Sequence, residues 1–316
     1  MNAPRRPPGR AVDGVLLLDK PTGISSNHAL QAARRLYNAK KAGHTGTLDP
    51  LATGLLPLCF GEATKFAGEL LDADKAYDAT LRLGVTTDSA DAEGQVLETR
   101  PVAVSEEQLQ AALARFRGEI MQLPPMHSAL KRDGKPLYHY ARQGLEVERQ
   151  ERRVTISGLQ LLEFAGDRVV LRVDCSKGTY VRTLAADIGA ALGCGAHLTA
   201  LRRTRIAGLD LAAAVTLEQL AQLTPEQRDA RLAPADALLA ELPLLQLETD
   251  QARRLLLGQA LPWPGEGEGR RRVYGGGRFL GLCRLTADGW LRPQRLVGEQ
   301  ATESGPQISD KTAHEA

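Results

Sequence analysis

Segments that alternate in polarity limit most strongly the folds open to this chain. In KAYDATLRLG (75–84) and DRVVLRVDCS (167–176), apolar residues recur at every second position, as in strands with one buried face. RRVTISGLQLLEF (152–164) comes shortly before the second segment, which predicts an antiparallel pair. Strands and helices then mix without a regular βαβ repeat. This order predicts an α+β fold around a mixed or antiparallel sheet.

Helical patterns lie between these strands. GVLLLDKPTG (14–23) is typical of a buried strand that ends in a turn, and SSNHALQAARRLYNA (25–39) follows with a serine N-cap and an apolar stripe. SEEQLQAALARFRG (105–118) has the pattern of a well-capped helix. TYVRTLAADIGAALG (179–193) is also predicted to be helical.

The composition changes from about residue 243. A short predicted helix (250–258) precedes closely spaced strands with glycine clusters, a pattern typical of a small barrel. Residues 243–298 contain nine arginines and five acidic residues. We therefore predict a larger domain over 12–240 and a small basic β-rich domain over 243–298.

The two ends of the chain differ from its body. Residues 1–11 are basic and proline-rich without an apolar stretch behind them, so we expect a disordered arm and no secretory signal. The polar, acidic residues 299–316 predict a disordered tail. The longest apolar runs are strand-sized and far too short to span a bilayer. We expect a cytoplasmic protein that acts as a monomer and needs no obligate protein partner.

The four cysteines are scattered, with no CxxC pair and no histidine cluster beside them. This pattern suggests neither a structural zinc site nor a disulfide framework, and a reducing compartment fits it best. A dinucleotide-binding fingerprint is absent from the sequence as well. We expect no metal and no cofactor.

Positive charge is distributed unevenly along the chain. The formal net charge is +2, but the acidic tail hides a charge of +5 on the rest of the chain. Basic groups of this kind fit a polyanionic partner, since each phosphate contact releases counterions, although a solvated surface is equally compatible with charge alone. The groups are Arg34/Arg35/Lys40/Lys41, Lys131/Arg132/Lys135, Arg149/Arg152/Arg153, Arg202/Arg203/Arg205 and Arg270/Arg271/Arg272.

The segment GHTGTLDPLATG (43–54) follows neither a helical nor a strand pattern. Its glycines allow tight turns, and Pro50 biases the backbone of Asp49 toward extended geometry. A carboxylate held rigidly in this way can act as a nucleophile, a base or a stabilising charge. The alternative is an Asx-turn, in which Asp49 only caps the loop. The local pattern leaves both interpretations open.

Two other segments offer partners for this carboxylate. CSKGTYVRTLAADIG (175–189) places Tyr180 and Arg182 at a strand-to-helix junction, where an arginine can hold a carboxylate ionised. An ordinary salt bridge at a helix start is the simpler interpretation. Tyr77 alternates with apolar positions, which fits either a half-buried strand residue or an aromatic face on which a base stacks.

The motifs in these segments resemble one known family. GVLLLDKPTGISS, GHTGTLDPLATGLLPLCFGEATKF, DKAYDATLRLG, SALKRDGKPLYHYARQG and CSKGTYVRTLAADIG occur in the order found in the bacterial TruB-type tRNA pseudouridine-55 synthases. The resemblance is close over roughly residues 12–210 and looser in the arginine-rich C-terminal part. It implies isomerisation of one uridine in the T-loop of tRNA to pseudouridine, on a mixed-sheet catalytic domain followed by a PUA-like RNA-binding domain.

The resemblance also assigns roles to seven residues. Asp49 matches the essential aspartate and Arg182 the arginine that pairs with it. Tyr77 matches the tyrosine packed against the target uracil, and Leu201 an apolar pocket position beside the base. The remaining matches are His44, which enters the T-loop stack when the uridine flips out, Lys20 of a KP motif near the site, and Tyr180, a second tyrosine beside it.

Other functions remain as alternatives. VLLLDKPTG superficially resembles aspartyl-phosphate phosphatases through Asp19, but the second carboxylate that they need two residues later is replaced by Pro21. A non-catalytic RNA-binding protein needs only the basic groups. A base-flipping enzyme that holds the T-loop open would also help tRNA to refold, which we keep as a secondary hypothesis.

One basic segment is a candidate for contacts with the tRNA backbone. It lies near the middle of the chain, where loop signals and basic residues coincide. Substitution of these residues by alanine is expected to lower affinity without abolishing turnover. They are Lys131, Lys135, Arg142 and Arg149.

Overall fold

A computed structural model describes residues 9–298 except 129, 133, 142 and 266. The predictions for Arg142, for residues 1–8 of the arm and for the tail over 299–316 lie outside the described residues. Residues 9–11, which were expected to belong to the disordered arm, are ordered. Arg10 forms an isolated β-bridge with Ala39 and pairs with Asp229.

The helices of the described chain are short. The α-helices are α1 (Ser26–Leu36), α2 (Glu106–Ala114), α3 (Leu137–Ala141), α4 (Val181–Ala191), α5 (Leu217–Gln222), α6 (Pro225–Asp229) and α7 (Thr249–Leu256). Three 3₁₀-helices span Gly61–Leu71, Leu211–Ala213 and Ala235–Leu239.

Strands make up most of the remaining regular structure. The first nine are β1 (Gly14–Lys20), β2 (Ala42–His44), β3 (Thr53–Phe60), β4 (Lys75–Leu83), β5 (Val85–Thr87), β6 (Val96–Thr99), β7 (Gly118–Gln122), β8 (Lys131–Arg132) and β9 (Lys135–Pro136). The others are β10 (Arg152–Ala165), β11 (Arg168–Cys175), β12 (Ala196–Ile206), β13 (Leu209–Asp210), β14 (Leu244–Leu247), β15 (Leu261–Pro262), β16 (Gly269–Gly275), β17 (Arg278–Leu285) and β18 (Trp290–Leu296).

A nine-stranded sheet forms the centre of the larger domain. Its strands run in the order β1-β3-β12-β4-β11-β10-β7, with β2 beside β3 and β13 beside β12. The β3–β12 pair is parallel, and the other pairs of this sheet are antiparallel. The predicted α+β fold with a mixed sheet is thereby confirmed.

Strand β4 shows why the alternating segments pair as they do. Tyr77, Ala79 and Leu81 point into the core, whereas Asp78 lies on the opposite face and receives two hydrogen bonds from Arg172 of β11. Because side chains alternate between the two faces, a shift of one residue in register would expose this entire apolar set. In the observed register, Tyr77 faces Val173 on one side and Arg203 on the other.

The smaller domain is a five-stranded sheet in the order β14-β16-β17-β18-β15. It has its own apolar core, which includes Leu255, Val273 and Leu291. A second apolar cluster joins it to the larger domain, where Phe279 packs against Phe66 with 5.5 Å between ring centroids. The chain is thus a larger α+β domain followed by a small β-rich domain.

Two elements differ from the sequence-based expectation. The helix predicted over 105–118 ends at Ala114, and strand β7 begins at Gly118, which was expected to be the last helical residue. Gly118 has φ +84°, a conformation that ends a helix readily and that side chains other than glycine rarely adopt. Among the described helices, none is long and apolar enough to cross a membrane.

Candidate active site

A cavity of about 190 Å³ lies where the 43–54 loop meets the start of helix α4 and one face of the main sheet. It brings together five of the seven residues that the sequence singled out. Lys20 and His44 are not part of its lining. The lining residues are Thr47, Leu48, Asp49, Tyr77, His127, Ser128, Thr179, Tyr180, Val181, Arg182 and Leu201.

Asp49 and Arg182 form the charged pair of this cavity. Arg182 Nε lies 3.0 Å from Asp49 Oδ2, and the arginine is almost fully buried whereas the aspartate side chain is 41 % exposed. The other two nitrogens of the guanidinium donate to the carbonyl oxygens of Ser89 at 3.1 Å and His127 at 2.7 Å. Arg182 is therefore fixed from three sides, with one edge facing the exposed carboxylate.

A second carboxylate, which the sequence analysis did not select, shares the same arginine. Asp91 Oδ2 lies 3.5 Å from Arg182 Nη1, and its side chain is buried. Its Oδ1 accepts hydrogen bonds from Ser89 Oγ at 2.6 Å and from the Glu93 N–H at 3.0 Å. Asp91 lies in an acidic, turn-forming segment, which by pattern is typical of a solvated surface turn.

The surroundings of Asp49 affect its proton affinity in opposing ways. Desolvation in the cavity raises the pKa of its carboxyl above the usual range, and the negative charge of Asp91 acts in the same direction. The positive charges of Arg182 and Lys20 favour the ionised form. The result is a carboxylate with raised basicity, which suits a nucleophile or a general base.

Tyr77 lies beside a buried arginine that the sequence analysis counted only among the basic groups. Arg203 lies on β12, is 1 % exposed and donates from Nε to the Leu55 carbonyl at 2.8 Å. It lies opposite Tyr77 in the register between β12 and β4. Burial raises the pKa of Tyr77, so the phenol keeps its proton at neutral pH.

Lys20 is fully buried behind the 43–54 loop rather than in the cavity. Its amine donates to the carbonyl oxygens of Pro21 at 2.8 Å, Ile24 at 2.7 Å and Pro50 at 3.4 Å. Burial lowers the pKa of Lys20 to about 8, although the charge of Asp49 opposes this shift. The lysine thus ties the turn after β1 to the residue that follows Asp49.

His44 ends strand β2, five residues before Asp49. Its Nδ1 is buried and has no hydrogen-bond partner among the described residues. Burial, reinforced by the charge of Arg203, lowers the pKa of the imidazole. At neutral pH the ring is therefore uncharged.

Tyr180 and Leu201 complete the cavity wall. The backbone of Tyr180 is held by Gln122, whose Oε1 accepts from its N–H at 3.1 Å and whose Nε2 donates to its carbonyl at 3.4 Å. Burial raises the pKa of the Tyr180 phenol. Leu201 lies on β12 opposite Ala79 of β4 and supplies an apolar surface.

Asp19, the residue that suggested a phosphatase, is engaged in an ion pair. Its two carboxylate oxygens accept hydrogen bonds from Arg202, with the closer contact at 2.6 Å. Within the part of the chain that the structure describes, no three His, Cys, Asp or Glu side chains group as ligands for a metal ion.

The described candidates for contacts with the tRNA backbone follow His127 and Ser128, which line the cavity, in the sequence. Lys131 and Lys135 are exposed on the β8–β9 hairpin. Arg149 is less available because it donates to the Pro124 carbonyl at 3.1 Å and to Glu146 at 3.4 Å.

Three family models match nearly all of residues 34–297. They are the TruB family pseudouridylate synthase N-terminal domain over 34–181, the tRNA pseudouridylate synthase B C-terminal domain over 182–240, and the pseudouridine synthase II TruB C-terminal domain over 243–297.

Curated relatives match the chain over most of its length. A tRNA pseudouridine synthase B from Azoarcus sp. strain BH72 is 60 % identical over 296 residues, which cover 94 % of this chain and 98 % of the relative. One from Burkholderia mallei is 62 % identical over 297 residues, with coverages of 91 % and 98 %.

Solved structures share the fold. A chain of a Cbf5-Nop10-Gar1 complex superposes with a TM-score of 0.70 at 25 % identity, covering 90 % of this chain and 84 % of its own length. A chain of an H/ACA RNP bound to a substrate RNA containing 2′-deoxyuridine gives 0.71 at 24 % identity, with coverages of 92 % and 86 %. Together with the relatives and the family models, these matches show that the chain belongs to the TruB family of pseudouridylate synthases.

Proposed function

We propose that this tRNA pseudouridine synthase isomerises the uridine at position 55 in the T-loop of tRNA, with Asp49 as its catalytic carboxylate. The observation that carries the proposal is the contact of Asp49 with Arg182 at 3.0 Å in a cavity that Tyr77 and Leu201 also line. The family assignment does not favour the alternative of a non-catalytic RNA-binding protein.

The reaction rearranges bonds within one nucleotide. The glycosidic bond between uracil N1 and ribose C1′ breaks, the base turns, and C5 bonds to C1′ while its proton leaves and N1 gains one. Three roles are open to Asp49, namely attack on C1′, attack on C6 and removal of the C2′ proton. Each of them requires an ionised carboxylate, which Arg182 favours.

Tyr77 and Leu201 are proposed to hold the base during this rearrangement. The ring of Tyr77 offers a flat surface, and β4 holds this residue between β11 and β12. A protonated phenol places no negative charge beside the uracil. Leu201 provides an apolar surface that forms no hydrogen bonds with the base, so the base can turn against it without breaking any. Tyr180, at the start of helix α4, bounds the same space.

His44 is proposed to fill the gap that the flipped uridine leaves in the T-loop. Extruding a stacked base costs a few kcal/mol, and an aromatic ring in its place offsets part of that cost. The lowered pKa of His44 supports this role, since an uncharged imidazole can enter a stack without losing the hydration of a charge. Lys20, in contrast, is proposed to act on the loop and not on the RNA.

The tRNA is proposed to lie across both domains. Lys131, Lys135 and, to a lesser degree, Arg149 face the backbone of the T-arm. In the module over 243–298, which we propose to be a PUA-like RNA-binding domain, Arg272 is paired with Asp236 and Arg270 with Glu69. Among the described residues of this module, the exposed arginines outside any ion pair are Arg253, Arg254, Arg278, Arg284 and Arg295.

We further propose that the enzyme acts as a monomer in the cytoplasm. All four cysteines are buried and unpaired, which fits a reducing compartment. Light scattering of the purified enzyme with and without tRNA measures the mass directly, and a dimer would contradict the proposed monomeric state.

Release of tritium from tRNA labelled at uridine C5 tests the proposed reaction, because the C5 proton must leave. The wild-type enzyme is expected to release tritium in the presence of EDTA, and Asp49→Asn to release none. Asp19→Asn is the matched control, since a phosphatase mechanism would make activity depend on Asp19 and not on Asp49. A transcript with cytidine in place of uridine 55 is expected to release none.

The outcomes separate the parts of the proposal. Release by Asp49→Asn at the wild-type rate would remove Asp49 from the chemistry while leaving the family assignment intact. Release from the cytidine-55 transcript would contradict the T-loop position and leave the catalytic carboxylate in place.

A further inference from the structure

The residues on either side of Asp49 are fixed by separate polar groups. On the N-terminal side, the Leu48 N–H donates to Ser26 Oγ at 2.8 Å, and the same hydroxyl donates to the Leu48 carbonyl at 3.0 Å. A serine hydroxyl carries one donor and two acceptor sites, so it can satisfy both backbone groups at once. Ser26 therefore bonds both backbone groups of Leu48, as a neighbouring strand does within a sheet.

The C-terminal side of Asp49 is anchored in a different way. The Pro50 carbonyl accepts from the Gly23 N–H at 2.8 Å and from Lys20 Nζ at 3.4 Å. The Asp49 carbonyl accepts from the Ala52 N–H at 3.1 Å. Only the side chain of Asp49 is left to face the cavity and Arg182.

The Ser26 hydroxyl is not needed to cap helix α1, because Ser25 performs that task. Ser25 Oγ accepts from the His28 N–H at 3.1 Å, as an N-cap residue does. Ser26 is 1 % exposed, and the hydrogen bonds of its hydroxyl go to Leu48, 22 positions along the chain. Leu48 is buried as well, so water cannot replace the hydroxyl cheaply.

We propose that Ser26 is a positioning residue for the catalytic carboxylate, which it sets through the backbone of Leu48. The inference rests on the proposed function, in which Asp49 reacts. Ser26 lies behind Leu48 and touches no substrate. A catalytic group displaced by about 1 Å loses about 100-fold in rate, so a clamp on the preceding residue acts on the chemical step and not on tRNA binding.

Two adjacent serines provide a matched pair of variants. Ser26→Ala and the nearly isosteric Ser26→Cys, whose thiol is a weak hydrogen-bonding group, are expected to lower the single-turnover rate of tritium release by about 10- to 100-fold. The Kd for tRNA should stay within about twofold. Ser25→Ala, which removes the helix cap, is expected to lower Tm by about 2 °C and leave the single-turnover rate within about twofold.

Hydrogen exchange at the Leu48 amide detects the clamp without reference to activity. We expect this amide to exchange at least about tenfold faster in Ser26→Ala than in the wild type, and at the wild-type rate in Ser25→Ala. A protected Leu48 amide in Ser26→Ala would overturn the inference, because the backbone would then be held by something else.

The activity results distinguish failure of this inference from failure of the proposed function. A wild-type single-turnover rate in Ser26→Ala, with Asp49→Asn inactive, would overturn the inference alone. Equal losses of rate in the two serine variants would also overturn it, since the effect would follow stability. Wild-type release by Asp49→Asn would overturn the proposed function and the positioning role together.

Discussion

The two walls of the cavity are built differently. The wall formed by the 43–54 loop is fixed by buried polar contacts, among them the Thr45 N–H, which donates to the Pro57 carbonyl at 3.1 Å. The second wall is the one to which His127 and Ser128 contribute, and it continues into the described part of 123–149. There, large side chains lie in solvent, with Tyr138 42 % and Leu145 52 % exposed. In the proposed function, the first wall holds the reacting carboxylate in place, whereas the second offers surface and charge to the tRNA.

This difference follows from what each wall has to do. A carboxylate that reacts must keep its position to within a fraction of an ångström, and buried hydrogen bonds from several elements can enforce this. A surface that receives folded RNA needs accessible cations and room to adjust. Substitutions in the first wall should therefore affect rate and stability, and those in the second wall should affect affinity.

The largest effect is expected from Arg182→Met, which removes the cation shared by Asp49 and Asp91. The buried Asp91 carboxylate would lose its partner, and the free energy of unfolding is expected to fall by about 3 kcal/mol. Tritium release is expected to fall by at least about 100-fold. Urea denaturation and single-turnover assays measure the two quantities.

Arg182→Lys sharpens the same experiment. It keeps the charge, but one ammonium group cannot contact both carboxylates and two carbonyl oxygens at once. We expect Arg182→Lys to recover part of the stability lost in Arg182→Met, but not the rate of tritium release. A lysine variant with the wild-type rate would show that charge alone, and not the fixed geometry of the guanidinium, is required beside Asp49.

A smaller effect, on stability alone, is expected from the titration of Lys20. Its pKa is about 8 in the folded protein and 10.5 without burial, so between these values the unfolded chain binds a proton that the folded protein does not. The free energy of unfolding therefore rises with pH across this window, by up to about 3 kcal/mol.

Lys20→Met is the control for this pH dependence. In urea denaturation at pH 7.5, 9 and 10, the free energy of unfolding of the wild type is expected to increase relative to that of the variant as pH rises. At pH 7.5 the variant removes the Lys20 donor from the carbonyl oxygens of Pro21 and Ile24, which separately lowers its stability. A difference that does not change with pH would mean that Lys20 titrates at its ordinary value.

The sequence predicted the groups that line the cavity better than the residues that support them. Asp49, Arg182 and Tyr77 were selected because they occur in distinctive motifs, and the structure gathers them in one cavity. Their roles remain proposals. Asp91 and Arg203 were missed because an acidic turn and a basic cluster are patterns of ordinary surfaces.

The supports depend on contacts between residues that are distant in the sequence. Ser26 was part of a predicted helix start, and only the folded chain shows that its hydroxyl reaches Leu48. Arg203 belongs to a basic group that fitted a polyanion-binding or solvated surface, yet strand β12 buries it beside Tyr77. Local periodicity predicts which side chains enter a core, but it does not specify which of them meet.

The smallest effect on chemistry is expected in the second wall, from the double variant Lys131→Ala/Lys135→Ala. Both side chains are exposed, and the loss of two phosphate contacts is expected to weaken tRNA binding about tenfold at low salt. The slope of log Kd against log salt should become shallower by about 1.5, while the single-turnover rate at saturating tRNA stays within about twofold.

Arg168→Ala is the matched control, because it also removes an exposed positive charge but lies at the end of β11 remote from the cavity. It is expected to change neither the salt slope nor the rate. If the double variant instead lowered the rate and left the salt slope unchanged, the division between a wall that fixes the carboxylate and a wall that binds RNA would be wrong. The 123–149 segment would then take part in positioning the reacting groups.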